Sequence, residues 1–284
     1  MIYLREFTFP VEEREFDFFI NIKRTCYDSF YPFKVLSRRG LEKLVFEPVT
    51  ILYGGNGSGK STALNVMAEK LGIQRDSIYN KSNFYSDYVK MCGMEQAASI
   101  PEASRIITSD DVFDYMLNIR NLNEGIDQKR EELFEEYLDA KYSKFQMRTM
   151  ADYEQLKKVT TARSRSQSRF VREMLMNNVR ELSNGESAFR YFTEKIAENA
   201  IYILDEPENS LSPKRQIELV NFIEDSARFF GCQFIISTHS PFLLSMHGAK
   251  IYDLDENPVV VKKWTELENV RTYFEFFKRN EKKF

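Results

Sequence analysis

The sequence predicts an α/β chain: a mostly parallel central sheet flanked by helices, with an N-terminal antiparallel β region and a helical insertion. Three observations predict it. Apolar runs that end in polar residues, near 49–53, 201–204 and 233–237, alternate with segments of helical period. A glycine-rich turn joins the first of these runs to a helical pattern. Between the two halves lies a long charged stretch without that alternation.

The elements follow in order. Residues 45–46 and 49–53 read as strands separated by Pro48. Residues 62–71 read as a helix, because Leu64, Met67, Ala68 and Leu71 recur at three- and four-residue spacing, and Gly72 stops it. The first 48 residues are aromatic-rich and broken by Pro10 and Pro32, which predicts a small, mostly antiparallel β region. Residues 105–108 form a short β-like run, and Ser109-Asp110-Asp111 caps a following helix. Residues 127–142 place Leu133, Phe134, Tyr137 and Leu138 on one face of a charged helix. Residues 163–180 are arginine-rich. From Glu186 the core pattern resumes: a helix to about Asn199, a strand over 201–204, a helix over 213–230 and a strand over 233–237. The expected organisation is one domain over 1–284, its core formed by 1–72 and 186–284, with 73–185 as the helical insertion.

The chain has 284 residues, 43% hydrophobic and 29% charged, enough to build a core. A net charge of -3 provides no global attraction to nucleic acid or an anionic membrane, so any such contact needs a local patch. No apolar stretch is long enough to cross a bilayer, and charge at Arg5 and Glu6 argues against a leader peptide. Cys26, Cys92 and Cys232 are far apart and form no CxxC pair. A reduced, cytoplasmic chain without membrane insertion is the expectation.

The chemistry is carried by three stations. The first is Gly54-Gly55-Asn56-Gly57-Ser58-Gly59-Lys60-Ser61-Thr62, a phosphate-loop pattern in its proper place after a strand and before a helix. Its glycines let backbone N–H groups turn onto phosphates, Lys60 reaches the β- and γ-phosphates of a nucleotide, and Ser61 holds Mg²⁺. The second is Asp205-Glu206, delivered to the carboxyl end of a strand, with Asp205 for Mg²⁺ and Glu206 to orient or deprotonate a water. The third is His239, placed after the next strand to sense a γ-phosphate; His247 has no such context. A plain glycine turn, two solvated carboxylates and a structural histidine are the competing readings, and the order of the three stations disfavours them.

Taken with Leu182-Ser183-Asn184-Gly185-Glu186-Ser187, which is also a helix capping box, these motifs resemble the ATP-binding cassette ATPases. The aromatic-proline segment Tyr31-Pro32-Phe33 and the run Ser237-Thr238-His239-Ser240-Pro241-Phe242-Leu243-Leu244 look like the stand-alone bacterial predicted ATPases of that type. The resemblance implies an ATP- and Mg²⁺-dependent hydrolase. It implies that Ser183 and Gly185 contact the γ-phosphate held by a second copy in a head-to-tail homodimer. It also places Glu208 to Ser212 across the dimer interface. Glu186 stands where transporters usually carry Gln, no Q-loop glutamine is assignable, and residues 73–181 lie outside the resemblance. The implied role is an ATP-driven switch on a protein partner. The alternative is a DNA-repair ATPase, with Arg163, Arg165, Arg169 and Arg172 on nucleic-acid phosphates. A transporter subunit ranks third.

Overall fold

The structure, a computed structural model, describes residues 1–23, 26–146, 148–179 and 184–283. The chain divides into two compact units: Met1–Phe113 with Asn184–Phe284, and Asp114–Ser183.

In the first unit, β1 (Leu4–Thr8) is followed by α1 (Glu12–Asn21), β2 (Lys43–Val45) and β3 (Val49–Tyr53). Then come α2 (Lys60–Leu71), α3 (Tyr85–Met91), β4 (Gly93–Gln96) and β5 (Arg105–Thr108). The helix α4 (Ser109–Tyr142) begins there, and α5 (Tyr153–Ser164) and α6 (Gln167–Met174) lie in the second unit. The first unit resumes with α7 (Asn184–Lys195), β6 (Ile201–Asp205), α8 (Pro213–Phe229), β7 (Gln233–Ser237) and α9 (Pro241–Leu244). It closes with β8 (Lys250–Asp253), β9 (Val260–Lys262) and α10 (Glu268–Asn280).

The main sheet has the order β5-β6-β7-β3-β8-β9, parallel throughout except for the antiparallel edge strand β9. Its central strands are apolar because helices cover both faces. Every residue of β3 and β7 is buried. The register places Asp205 beside Ser237, Ser237 beside Leu52, and Thr108 beside Asp205. The polar ends of β5, β6, β7 and β3 therefore share one carboxyl edge, where ligands bind in open α/β sheets.

The expected N-terminal antiparallel sheet is present, with order β2-β1-β4. Two side chains stitch it to the main sheet. Gln233 Oε1 accepts from the Tyr3 and Leu4 N–H groups at 2.8 and 2.9 Å, and its Nε2 donates to the Leu4 carbonyl at 2.8 Å. The Tyr252 hydroxyl accepts from Val45 N at 2.9 Å and donates to Val45 O at 3.0 Å.

Three boundaries differ from the sequence expectation. The aromatic N-terminal segment contains a helix, α1, whose Phe18 stacks on Phe33 at 4.6 Å between centroids. Residues 73–113 belong with the first unit, because β4 joins the small sheet and β5 the large one. The strand 105–108 and the charged segment 127–142 are joined by one continuous helix, α4, of 34 residues. In the second unit a small core forms around Leu133, Tyr137, Val159, Ala162 and Phe170.

Candidate active site

The phosphate loop leaves β3 and closes on the N-terminus of α2. Gly54 is obligatory because a Cβ there would stand 2.7 Å from Ser58 Oγ. Gly59, the residue before α2, has φ 97°, and a Cβ would press on Leu36 at 2.9 Å. The turn is braced from outside by Tyr31, whose hydroxyl bonds Thr62 Oγ1 at 3.0 Å, and by Asp255, whose carboxylate accepts from Gly55 N at 2.7 and 2.9 Å.

Lys60 opens α2 and is only 4% exposed. Its ammonium donates to the Gly54 and Gly55 carbonyls at 2.7 and 3.3 Å and lies 2.9 Å from His239 Nε2. Glu206 Oε1 is 3.7 Å from Lys60 Nζ and 3.3 Å from the same imidazole nitrogen. Three side chains far apart in sequence thus converge on one point. Burial pushes the Lys60 ammonium down, opposed by the Glu206 and Asp205 carboxylates. The contact with His239, followed by the Asn209 amide and the Lys60 charge, overcomes desolvation and holds the Glu206 carboxyl down to about 2. Glu206 itself sits at φ 49°, ψ 55°, a left-handed conformation that non-glycine residues seldom keep without a reason.

Asp205 ends β6, and its Oδ1 accepts from Ser61 Oγ at 3.1 Å and from the Ser237 hydroxyl. Burial pushes its carboxyl upward, with the two hydroxyls opposing. A hydroxyl and a carboxylate at this spacing suit a hard cation that takes its remaining ligands from phosphate and water, so the residues fit Mg²⁺. Among the described residues no cluster of three or more His, Cys, Asp or Glu exists to hold a metal by protein groups alone.

The site residues predicted from sequence are thus brought together along one sheet edge, with three qualifications. Ser183 and Leu182 lie outside the described residues. Gly185 is in the first turn of α7, where a Cβ would meet the Ser210 carbonyl at 3.5 Å, an ordinary contact. At the edge where the resemblance calls for a glutamine, β5 ends in Thr108, whose N–H and hydroxyl both bond Asp111 Oδ2, at 2.6 and 2.9 Å. Sequence reasoning missed Ser237, the Asp255 brace and Arg39, whose guanidinium reaches the Gly57 carbonyl at 3.5 Å. Ser237 was legible as the polar residue that ends an apolar run. Arg39 ends a one-turn 3-10 helix, Ser37–Arg39, and Asp255 lies in a loop after β8; neither carries a local signature.

Residues 44–209, more than half of the chain, match the family model described as "ABC transporter". The chain belongs to the ATP-binding cassette family. It is an ATPase with a nucleotide-binding phosphate loop. Residues 177–245 of this cassette also match a model described as "AAA domain, putative AbiEii toxin, Type IV TA system". No curated protein sequence matches it significantly. Among solved structures, it is similar to a nucleotide-free ATP-binding cassette from an ABC transporter, at 14% identity and TM-score 0.43, covering 97% of this chain and 96% of that one. It is also similar to a dimeric cassette in a post-hydrolysis state bound to ADP and Pi, at 14% identity and TM-score 0.37, over 79% of this chain and 90% of that one. A third is the Smc head domain of Pyrococcus furiosus bound to a ScpA domain, at 13% identity and TM-score 0.38, over 84% and 95%. Among the described residues of the cassette, no helix is long and apolar enough to cross a membrane.

Proposed function

We propose that this cassette hydrolyses ATP in a site that two copies complete, and that the resulting opening and closing acts on a protein partner. The observation that carries the reading is the convergence of Lys60, Glu206 and His239 at the carboxyl edge, beside the loop 54–62. In the proposed roles, loop N–H groups of Gly54, Gly55, Asn56, Gly57, Ser58, Gly59, Lys60, Ser61 and Thr62 cradle the phosphates, aided by the helix N-terminus. Lys60 moves from the Gly54 carbonyl to the β- and γ-phosphates. Ser61 and Asp205 hold Mg²⁺, which neutralises phosphate charge when bound. Glu206 orients a water and takes one of its protons as the water oxygen bonds to the γ-phosphorus and the bond to ADP breaks. His239 contacts the γ-phosphate. Ser183 and Gly185 of a second chain close the site.

The competing DNA-repair reading rests on Glu186 in the signature and on an arginine run. Arg163 donates to the Ser143 and Lys141 carbonyls, and Arg165 and Arg169 both pair with Glu173. These local partners compete with phosphates for the same guanidinium groups, which favours the protein-partner reading. The match of 177–245 to a model named for a putative toxin supports the same side. The second unit, Asp114–Ser183, is the proposed contact region. A test of the shared site is kinetic. Specific ATPase activity is expected to rise with protein concentration, because only dimers turn over. A specific activity independent of concentration across the monomer range contradicts it.

A further inference from the structure

The segment after Asp205-Glu206 resembles a loop that faces a second chain, yet one of its side chains turns inward. Glu208 Oε1 accepts from Thr238 Oγ1 at 2.7 Å, from His239 N at 2.6 Å and from Ser240 N at 3.2 Å. Three consecutive residues of the histidine loop thus hang on a single carboxylate oxygen. Its other oxygen is buried without a partner. A buried carboxylate with no cation on it is costly unless N–H groups satisfy it, so these bonds are a strong and directional hold.

On its other side, the His239 carbonyl accepts from Asn269 Nδ2, at the start of α10, at 2.8 Å. Both main-chain groups of His239 are therefore fixed by side chains, one from the turn Pro207–Ser210 and one from α10. The same turn carries Asn209, whose amide donates to Glu206 Oε2 at 3.0 Å. One short turn thus sets the place of the base and of the imidazole beside it. None of this was visible in the sequence, where Glu208 is one of three nearby carboxylates.

We propose that Glu208 is a positioning residue for hydrolysis, which aligns the His239 imidazole with the γ-phosphate by gripping the main chain of residues 238–240. The proposal rests on the reading that His239 faces that phosphate. Glu208 touches no substrate, and its effect passes through His239. A displaced imidazole misses a transition-state contact while leaving the phosphate loop untouched, so the loss falls on kcat rather than on KM.

The experiment is steady-state ATP turnover for Glu208→Ala, Glu208→Gln, His239→Ala and the double variant Glu208→Ala/His239→Ala. Glu208→Ala is expected to lower kcat by about 10- to 100-fold with KM for ATP within about threefold of wild type. Glu208→Gln keeps the accepting oxygen and is expected to recover kcat to within about threefold. In the His239→Ala background, Glu208→Ala is expected to add less than about twofold. Wild-type kcat in a folded Glu208→Ala overturns the proposal. A rise in KM matching the fall in kcat, a Gln variant as impaired as Ala, or a full additive loss in the double variant also overturns it. Wild-type turnover in His239→Ala overturns the reading of His239 and this proposal with it, whereas a loss in His239→Ala beside wild-type turnover in Glu208→Ala overturns the proposal alone. If Glu208→Ala does not fold, Thr238→Val removes one donor, with a kcat loss of a few-fold at unchanged KM expected; no loss there overturns the proposal.

Discussion

Lys60 is almost fully buried, and backbone carbonyls rather than a close carboxylate take most of its hydrogen bonds. In the proposed role, phosphate oxygens would take over the hydrogen bonds that the Gly54 and Gly55 carbonyls accept from it. Lys60→Ala is expected to lower ATP turnover by at least about 100-fold while the thermal transition stays cooperative. Near wild-type turnover would remove Lys60 from the mechanism. The phosphate-loop pattern made the identity of Lys60 legible, along with that of Asp205-Glu206. The company they keep was not, because the Lys60–His239 contact joins residues 179 apart. Burial acts on other residues as well. It pushes the Cys92 thiol up to about 12 and raises that of Cys232 too, whereas Cys26 is exposed. Iodoacetamide at about pH 8 should label Cys26 alone in the native protein and all three thiols after unfolding. Labelling of native Cys92 at the rate of Cys26 would contradict the packing around α3.

At the scale of elements, the strands were the most readable part, since 233–237 and 105–108 have the bounds their apolar runs suggest. What could not be read was which strands pair. Gln233 illustrates this: a polar residue at the head of a buried strand looks like a boundary, but the structure makes it a fully buried clamp between two sheets. Gln233→Ala leaves the Tyr3 and Leu4 N–H groups and the Leu4 carbonyl without that partner, and should destabilise the fold by about 2–4 kcal/mol in urea unfolding. A change below about 0.5 kcal/mol would show that the small sheet does not depend on it. The helix α1 escaped notice for a local reason. Its N-cap, Val11, offers no side-chain cap, and large apolar residues, Phe16 and Ile20, stay exposed on it. Its aromatic residues pack against distant Phe33 and Phe84, so its amphipathic pattern is incomplete within the segment.

For the whole molecule, the chain falls into Met1–Phe113 with Asn184–Phe284 and Asp114–Ser183, and where the second unit starts was not legible in the alternation of strand and helix signals. Residues 73–113 carry weak periodicity because β4 and β5 are four residues each, and their partners β1 and β6 lie far away in sequence. The central claim is a shared site: loop 54–62 of one chain facing Ser183 and Gly185 of another across ATP. A ligand with contacts in both chains favours the closed dimer by its differential affinity alone, and ADP lacks the contact that matters. The direct measurement is mass in solution for Glu206→Gln, which keeps the nucleotide and slows its loss, with Mg-ATP and with Mg-ADP. The account predicts a dimer with ATP and a monomer with ADP. A monomer at saturating ATP would contradict it.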